Sequence, residues 1–441
     1  MAPAEDTIVA AATPPGRGGI GIVRISGPAA DAIARAMLGA VPRARIATLV
    51  DFRSADGAAI DSGIALWFEA PHSYTGEDVL ELHGHGGPVV MDLLVGRALE
   101  LGARPARPGE FSERAFHNDK LDLAQAEAIA DLIDAGSAQA ARAAARSLAG
   151  EFSREIGALG AAVLELRTYI EAAIDFPDED AEFLAAPEVA ARLADIAGRF
   201  ERIGAAAATG RALTEGLTVV IAGRPNAGKS SLLNALAGFD AAIVTDIPGT
   251  TRDVLRERIS VDGLPIHVAD TAGLRESADV IEEEGVRRAR AEISRADLLL
   301  YVVDAAAGAM AGELESLPED PPALVLWNKT DLAPMPAGAA GIAISARTGA
   351  GLDELRGRLK AAAGYREAGA GAYSARRRHL DALGRAKSLF EVAQARLAQR
   401  ASFELVAEDL HQAHRALGEI TGEVTSDELL GAIFAGFCIG K

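Results

Sequence analysis

The spacing of apolar residues changes twice along the chain. Over residues 1–118, short runs that alternate apolar and polar positions, at 7–11, 20–25, 64–68 and 79–83, are punctuated by Gly and Pro and joined by helix-period stretches near 29–38 and 88–101. That mixture predicts a compact α+β domain. From residue 120 to about 210 the period lengthens to that of a helix, with Leu121, Ala124, Ile129, Leu132 and Ile133 as the first apolar stripe and a Pro-Asp turn at 175–180 as an interruption. Strand and helix signals then alternate from Leu217 to about Ala363, and helical character returns from Ala375 to the end. The order predicts a multidomain protein: an α+β N-terminal domain at 1–118, a discontinuous α-helical domain at 119–213 and 373–441, and an α/β domain inserted at 214–372. Insertion is physically reasonable because domain termini lie at the surface and often close together. Thr425-Ser426-Asp427-Glu428 forms a capping box ahead of the apolar run 429–437, so the last helix is expected to pack.

Composition narrows the classes. A chain of 441 residues exceeds one ordinary core. It contains no uninterrupted apolar run of about 18 residues, so a membrane span is not expected. The N-terminus lacks a basic start followed by a leucine-rich core and reads as mature sequence, which with the single cysteine, Cys438, predicts a reducing, cytoplasmic setting. The net charge of −19 opposes nonspecific attraction to nucleic acid, so any RNA contact must be local or shared with a partner. The densest basic cluster, Arg376-Arg377-Arg378-His379, reads as a solvated helix start.

The inserted domain carries the chemistry. The segment from Gly223 through Asn226, Ala227, Gly228 and Lys229 to Ser230 fits G-x-x-x-x-G-K-S, after an apolar strand at 217–222 and before a helix-forming run that begins at Ser231. Glycines let backbone N–H groups curl around phosphates, Lys229 supplies charge at the β and γ oxygens, and Ser230 offers a hydroxyl to Mg²⁺. Asp270-Thr271-Ala272-Gly273 follows a predicted strand, where an acid can reach Mg²⁺ through water and the Gly273 N–H can meet a γ-phosphate. Asn328-Lys329-Thr330-Asp331 ends the apolar strand at 323–327. Asp331 can accept from both N–H donors of guanine, a pair adenine does not present. Ser345 and Ala346 can close the base pocket through backbone N–H groups. With Thr250 and Thr251 these pieces resemble the five-motif set of translation-factor-type GTPases, so GTP and GDP are the expected ligands.

Hydrolysis needs a substitute for two usual parts. Leu274 stands where many small GTPases carry the glutamine that orients water, and no arginine can be assigned as a finger. The Glu282-Glu283-Glu284 cluster supplies polar candidates. Asn226 could coordinate a monovalent cation between the phosphates and the loop Thr245-Asp246-Ile247-Pro248-Gly249-Thr250, doing the electrostatic work of a guanidinium.

Beyond that domain the whole chain resembles the MnmE (TrmE) family of bacterial and organellar tRNA-modification GTPases, within the TrmE-Era-EngA-Septin-like group. The likeness runs through residues 16–27, 76–87, 114–128 and 245–253, and through the terminal Phe437-Cys438-Ile439-Gly440-Lys441. It implies a homodimer formed through an N-terminal domain that binds a 5-formyl- or 5,10-methylene-tetrahydrofolate. It implies G domains that pair when K⁺ and GTP are bound, and an FAD-dependent partner, MnmG, in a heterotetramer. Together these would install a carboxymethylaminomethyl group on the wobble uridine of certain tRNAs. On this sequence the K⁺ contacts fall on Asn226, Thr245, Ile247 and Thr250, and those of Mg²⁺ on Ser230 and Thr251. The catalytic acid falls on Glu282, and the folate contacts on Arg24, Glu81, Lys120 and Lys441, with Cys438 near the one-carbon unit.

Two motifs fail their context. Gly16-Arg17-Gly18-Gly19-Ile20-Gly21 fits G-x-G-x-x-G but precedes a β-like run instead of a helix. His83 and His85 have no third ligand at metal-binding spacing. Two rival functions share the nucleotide motifs: a regulatory GTPase that binds RNA during ribosome assembly, and a nucleotide-gated scaffold with negligible turnover.

Overall fold

The computed structural model describes residues 6–175, 187–237, 256–270, 293–294, 296–310, 312–318, 320–365, 372–399 and 402–440. The chain divides into two compact units, one of residues 1–130 with 418–441 and the other of residues 131–417.

In the first unit, six strands make one sheet: β1 (Ile8–Ala11), β2 (Gly18–Ser26), β3 (Thr48–Arg53), β4 (Ala59–Phe68), β5 (Val79–Gly86) and β6 (Arg104–Pro105), in the order β3-β4-β5-β2-β1-β6. All neighbours are antiparallel except β1 and β6. Alternation sorts the faces. Val23 and Ile25 of β2 and Leu80 and Leu82 of β5 are buried with Ile33, Met37 and Leu94 of the helices α1 (Ala30–Leu38) and α2 (Pro88–Glu100). The intervening positions Arg24, Glu81 and His83 therefore share the opposite face. The predicted runs are all present, but β3 and β6 carry no predicted counterpart. In β3 only Phe52 is buried, so the run lacks the apolar alternation that marks a half-buried strand, and β6 is two residues long.

Helices α3 (Glu110–His117), α4 (Leu123–Ile133) and α12 (Asp427–Ala435) follow the sheet in this unit, α4 running on into residues counted with the second. The buried stripe of α4 corrects the predicted one in part, since Ala124 is buried as expected but the stripe is centred on other residues. Leu123, Ala126 and Ala130 meet Leu430, Phe434 and Phe437, whereas Ile133 is 54% exposed. An alanine-rich helix offers several near-equivalent faces, and the aromatic side chains of the C-terminal segment choose among them. The capping box is present in part: Ser426 Oγ accepts from Leu429 N at 3.3 Å, and Leu430 and Phe434 are buried.

The second unit joins helices to a second sheet. Its helices are α5 (Ala138–Leu148), α6 (Glu151–Asp175), α7 (Pro187–Glu215), α8 (Lys229–Ala237), α9 (Leu352–Ala362), α10 (Arg377–Ala398) and α11 (Phe403–Thr421), the last running past the unit's final residue. Its strands are β7 (Leu217–Gly223), β8 (Arg256–Val261), β9 (Leu264–Asp270), β10 (Leu298–Asp304), β11 (Ala323–Asn328) and β12 (Ile342–Ala343), ordered β12-β11-β10-β7-β9-β8. Only the β8–β9 pair is antiparallel. Strands β7 and β10 are apolar almost throughout, as expected of parallel strands covered on both faces.

Where the chain enters and leaves the α/β portion, its two segments touch. The hydroxyls of Thr214 and Ser374 lie 3.3 Å apart, Ser374 N donates to Ala143 O at 3.2 Å, and Ser147 Oγ donates to Ser374 O at 3.1 Å. Asp131, which is buried, accepts from Ser374 Oγ and, at 2.7 Å, from Arg376 Nη2. The cluster at 376–379 is thus a solvated helix start only in part, with Arg377 exposed as expected. Arg376 is paired inward, and His379 is 2% exposed and takes part in the N-terminal cap of α10. A capping role and a buried acid draw in residues whose local sequence is only basic.

Candidate functional site

Every nucleotide motif in the described residues sits at the carboxyl ends of the parallel strands, where open α/β sheets bind ligands. The phosphate loop follows β7, Asp270 closes β9, Asn328 closes β11, and Ser345 follows β12. β7 lies between β9 and β10, which places the loop beside the point where the strand order reverses.

Two glycines of the loop have no substitute. Gly223 has φ of 141° and a side chain there would meet Val302 O at 2.2 Å, and Gly228 has φ of 98° and would meet Asn328 Nδ2 at 2.2 Å. Lys229 Nζ reaches Gly223 O and Arg224 O, each at 3.0 Å, so its ammonium lies within the curl of the loop. Ser230 and Ser231 stand exposed in the first turn of α8, at the positive end of the helix dipole. Asn226 is exposed and has φ of 63°, a left-handed conformation that few side chains adopt.

The end of β11 and the residues that follow it brace this loop. Asn328, 2% exposed, donates from Nδ2 to Ala227 O at 2.9 Å and accepts at Oδ1 from Ala346 N at 3.0 Å. Lys329 Nζ donates to Asn226 O at 2.7 Å and to Asp304 Oδ2 at 2.7 Å. Ser345 Oγ donates to Asp331 Oδ1 at 2.8 Å and accepts from Thr348 N at 3.2 Å, which fixes one edge of the carboxylate. The N–H of Ser345 donates to Ala350 O at 2.9 Å. Thr245, Asp246, Ile247, Pro248, Gly249, Thr250, Thr251, Thr271, Ala272, Gly273, Glu282 and Lys441 lie outside the described residues, as does the side chain of Asp270.

A second cluster occupies the open face of the six-stranded sheet. Arg24 and Glu81 are directly opposed across β2 and β5, and Arg24 Nε donates to Glu81 Oε1 at 2.8 Å. The guanidinium lies 5.2 Å from the Tyr74 ring centroid and 5.6 Å from that of Phe111, a cation between two π faces. Burial pushes the Tyr74 hydroxyl above its usual range, and it is hydrogen-bonded to Ser112 Oγ at 2.7 Å. The C-terminal segment reaches the same place: Gly440 O is 3.5 Å from Arg24 Nη1, and Gly109 N donates to Cys438 O at 3.3 Å. Residues far apart in sequence are brought together. Lys120 Nζ instead donates to Pro71 O at 2.9 Å, and Cys438 is exposed.

Sequence reasoning missed several participants. Tyr74, Phe111 and Ser112 lack a motif, and only the fold carries them to Arg24. His83 Nε2 lies 3.1 Å from Glu81 Oε2, and His85 Nδ1 lies 2.8 Å from Asp61 Oδ1, so the two histidines pair with different carboxylates. Asp304 did leave a trace, as the acid that ends the apolar run LLLYVVD. Among the described residues no helix is long and apolar enough to cross a membrane.

A family model described as the GTP-binding protein TrmE N-terminus matches residues 7–120, and one described as the MnmE helical domain matches residues 123–438. The tRNA modification GTPase MnmE of Methylococcus capsulatus is 56% identical over 100% of both chains. That of Pseudomonas aeruginosa strain UCBPP-PA14 is 56% identical, again over 100% of both. Among solved structures, the G domain of the T. maritima FeoB iron transporter matches 33% of this chain and 98% of its own at 27% identity, with a TM-score of 0.26. With its phosphate loop and guanine-recognition motif at one edge of a parallel sheet and its full-length likeness to these relatives, the chain belongs to the MnmE family of tRNA modification GTPases.

Proposed function

We propose that the protein is a K⁺-stimulated GTPase, activated when the G domains of a homodimer pair. With an FAD-dependent, MnmG-like partner in a heterotetramer, it builds the 5-carboxymethylaminomethyl group on the wobble uridine of certain tRNAs. The observation that carries the one-carbon part is the convergence of Arg24, Glu81 and the Gly440 carbonyl, which precedes Lys441, on one partly buried surface. The residues fit a tetrahydrofolate. A carboxylate accepts from the adjacent N–H donors of a reduced pterin, cations such as Arg24, Lys120 and Lys441 pair with its glutamate tail, and the Tyr74 and Phe111 rings offer apolar walls. The folate would supply the one-carbon unit, with Cys438 close to it.

In the G domain, Ser230 and Thr251 would hold Mg²⁺, and Asn226, Thr245, Ile247 and Thr250 would hold K⁺. The exposed Ser230 hydroxyl at a helix start and the exposed, left-handed Asn226 fit those duties. The cation supplies positive charge against the phosphates in place of an arginine. Lys229 neutralises the β and γ oxygens, Asp331 selects guanine, and Glu282 orients the attacking water through solvent. A tRNA substrate and a single exposed cysteine agree with a cytoplasmic, reducing setting.

The deciding experiment is calorimetry of the full chain with 5-formyltetrahydrofolate, alongside GTP turnover in K⁺ and Na⁺. Saturable binding that Arg24→Ala abolishes, and faster turnover in K⁺, are expected. No folate binding above background would favour a GTPase of ribosome assembly, and equal slow rates in both salts and in Glu282→Ala would favour a scaffold.

A further inference from the structure

Asp304 closes β10 at the same edge of the sheet as the nucleotide motifs, yet it belongs to none of them. Its Oδ1 accepts from Ala306 N at 2.9 Å, so its own turn fixes the carboxylate before any partner arrives. Oδ2 then accepts from Lys329 Nζ at 2.7 Å, and the same ammonium donates to Asn226 O at 2.7 Å. Lys329 and Asn226 are both non-glycine residues in left-handed backbone, with φ of 64° and 63°. Such conformations are unfavourable for residues with a side chain and persist where surrounding contacts over-determine them. One ammonium, clamped by one carboxylate, joins the two.

A trans peptide carries its C=O and N–H on opposite sides. The segment that closes β11 ties down two successive phosphate-loop carbonyls, Asn226 O through Lys329 and Ala227 O through Asn328. Neither peptide can turn over without breaking its bond. Lysine is a flexible point charge, so without an anchor its ammonium would spend its freedom in solvent instead of on one carbonyl.

We propose that Asp304 is a positioning residue for guanine-nucleotide binding: by anchoring the Lys329 ammonium it locks the Asn226 peptide of the phosphate loop to the base-recognition segment 328–331. Loop and base pocket are thereby organised together before nucleotide arrives, which lowers the ordering cost of binding. Where Asn226 also serves a cation, the lock sets that residue too, and this extension alone rests on the K⁺ reading above.

The test uses the full chain and fluorescent GDP, with affinity and dissociation rate measured in Na⁺ and in K⁺. Asp304→Asn keeps an oxygen for the Ala306 N–H and removes the charge that holds Lys329. It is expected to weaken GDP about tenfold in both salts, mainly through faster dissociation. Lys329→Met should lose at least as much, and the double variant should stay within about twofold of Lys329→Met alone, because the second change removes an anchor with nothing left to hold. Affinity within about twofold of wild type for Asp304→Asn overturns the proposal. So do losses that multiply in the double variant, the signature of a merely structural Asp304. Asp304→Ser, whose hydroxyl can also accept from Ala306, is the second variant should the first not fold, and meets the same criteria. Equal GTP turnover of the wild type in K⁺ and Na⁺ would end the cation reading while leaving the GDP comparison decisive, so the two failures are distinguishable.

Discussion

Replacing Asn328 with Ala removes a single amide that serves two backbone groups. Its Nδ2 satisfies Ala227 O at 2.9 Å and its Oδ1 satisfies Ala346 N at 3.0 Å, at a position 2% exposed to solvent. Each buried backbone group left without a partner costs about 1–3 kcal/mol, so the ceiling is about 6 kcal/mol. The vacated space can admit water, which brings the expected loss to about 2–3 kcal/mol. Trp327, 3% exposed and next in the chain, is a built-in reporter, and Trp67→Phe makes it the sole indole, since the sequence holds 2 Trp. With a urea m-value of roughly 2 kcal/mol per molar, Asn328→Ala in that background should lower the Trp327 unfolding midpoint by about 1–1.5 M. GDP affinity should fall alongside, since the freed carbonyl belongs to the phosphate loop. A midpoint within about 0.2 M of the parent, at unchanged m, would refute the claim that this amide braces the loop.

Acid titration addresses the first unit. Burial alone would raise the Glu110 carboxyl, but the hydrogen bond and charge of Arg104, the Arg107 N–H and Arg114 outweigh it and bring the group from 4.5 to about 2. A depressed carboxyl stabilises the fold fully above its unfolded pKa, so on the order of 3 kcal/mol is lost as pH falls from about 4.5 towards 2. Near-ultraviolet circular dichroism should show wild type and Glu110→Gln differing at neutral pH and converging near pH 2; parallel curves would count against it. Gly440→Ala sets a side chain 2.3 Å from Ala11 O at a φ of 97°, so it should displace the tail from Arg24 and weaken 5-formyltetrahydrofolate at least tenfold in calorimetry while GTP turnover persists. Ser345→Ala removes the donor to Asp331 Oδ1 and should cost about tenfold in GDP affinity, or about 1.4 kcal/mol, read by fluorescence titration.

The strand-end placement of the phosphate loop, the N-K-x-D segment and the following Ser-Ala pair was legible because each is a local motif beside an apolar run. The same strand-end logic applies to Asp304, but an acid that ends an apolar run is too common to stand out until Lys329 is seen to reach it. The second cluster was legible only through resemblance. Arg24 and Glu81 differ by 57 positions, and register, which local alternation cannot specify between distant strands, makes them neighbours. Tyr74 and Phe111 come from a loop and a helix that no pattern links to β2. Ile133 and the 376–379 cluster misled for a related reason: periodicity identifies an element, while the partner that covers it is chosen elsewhere in the chain.

The contact between Thr214 and Ser374 has a consequence for how such a chain can come to exist. To the helices that carry it, the whole α/β portion is a loop whose two ends are already side by side, and the closure cost of a loop grows only with the logarithm of its length. Lengthening that portion at its surface therefore costs its host little in chain entropy. Exchange is another matter: Ala140, Ala143, Ala212 and Leu213 of the carrying helices share one apolar cluster with Leu217, Ile266 and Leu355 of the α/β portion, so any replacement would have to cover the same face.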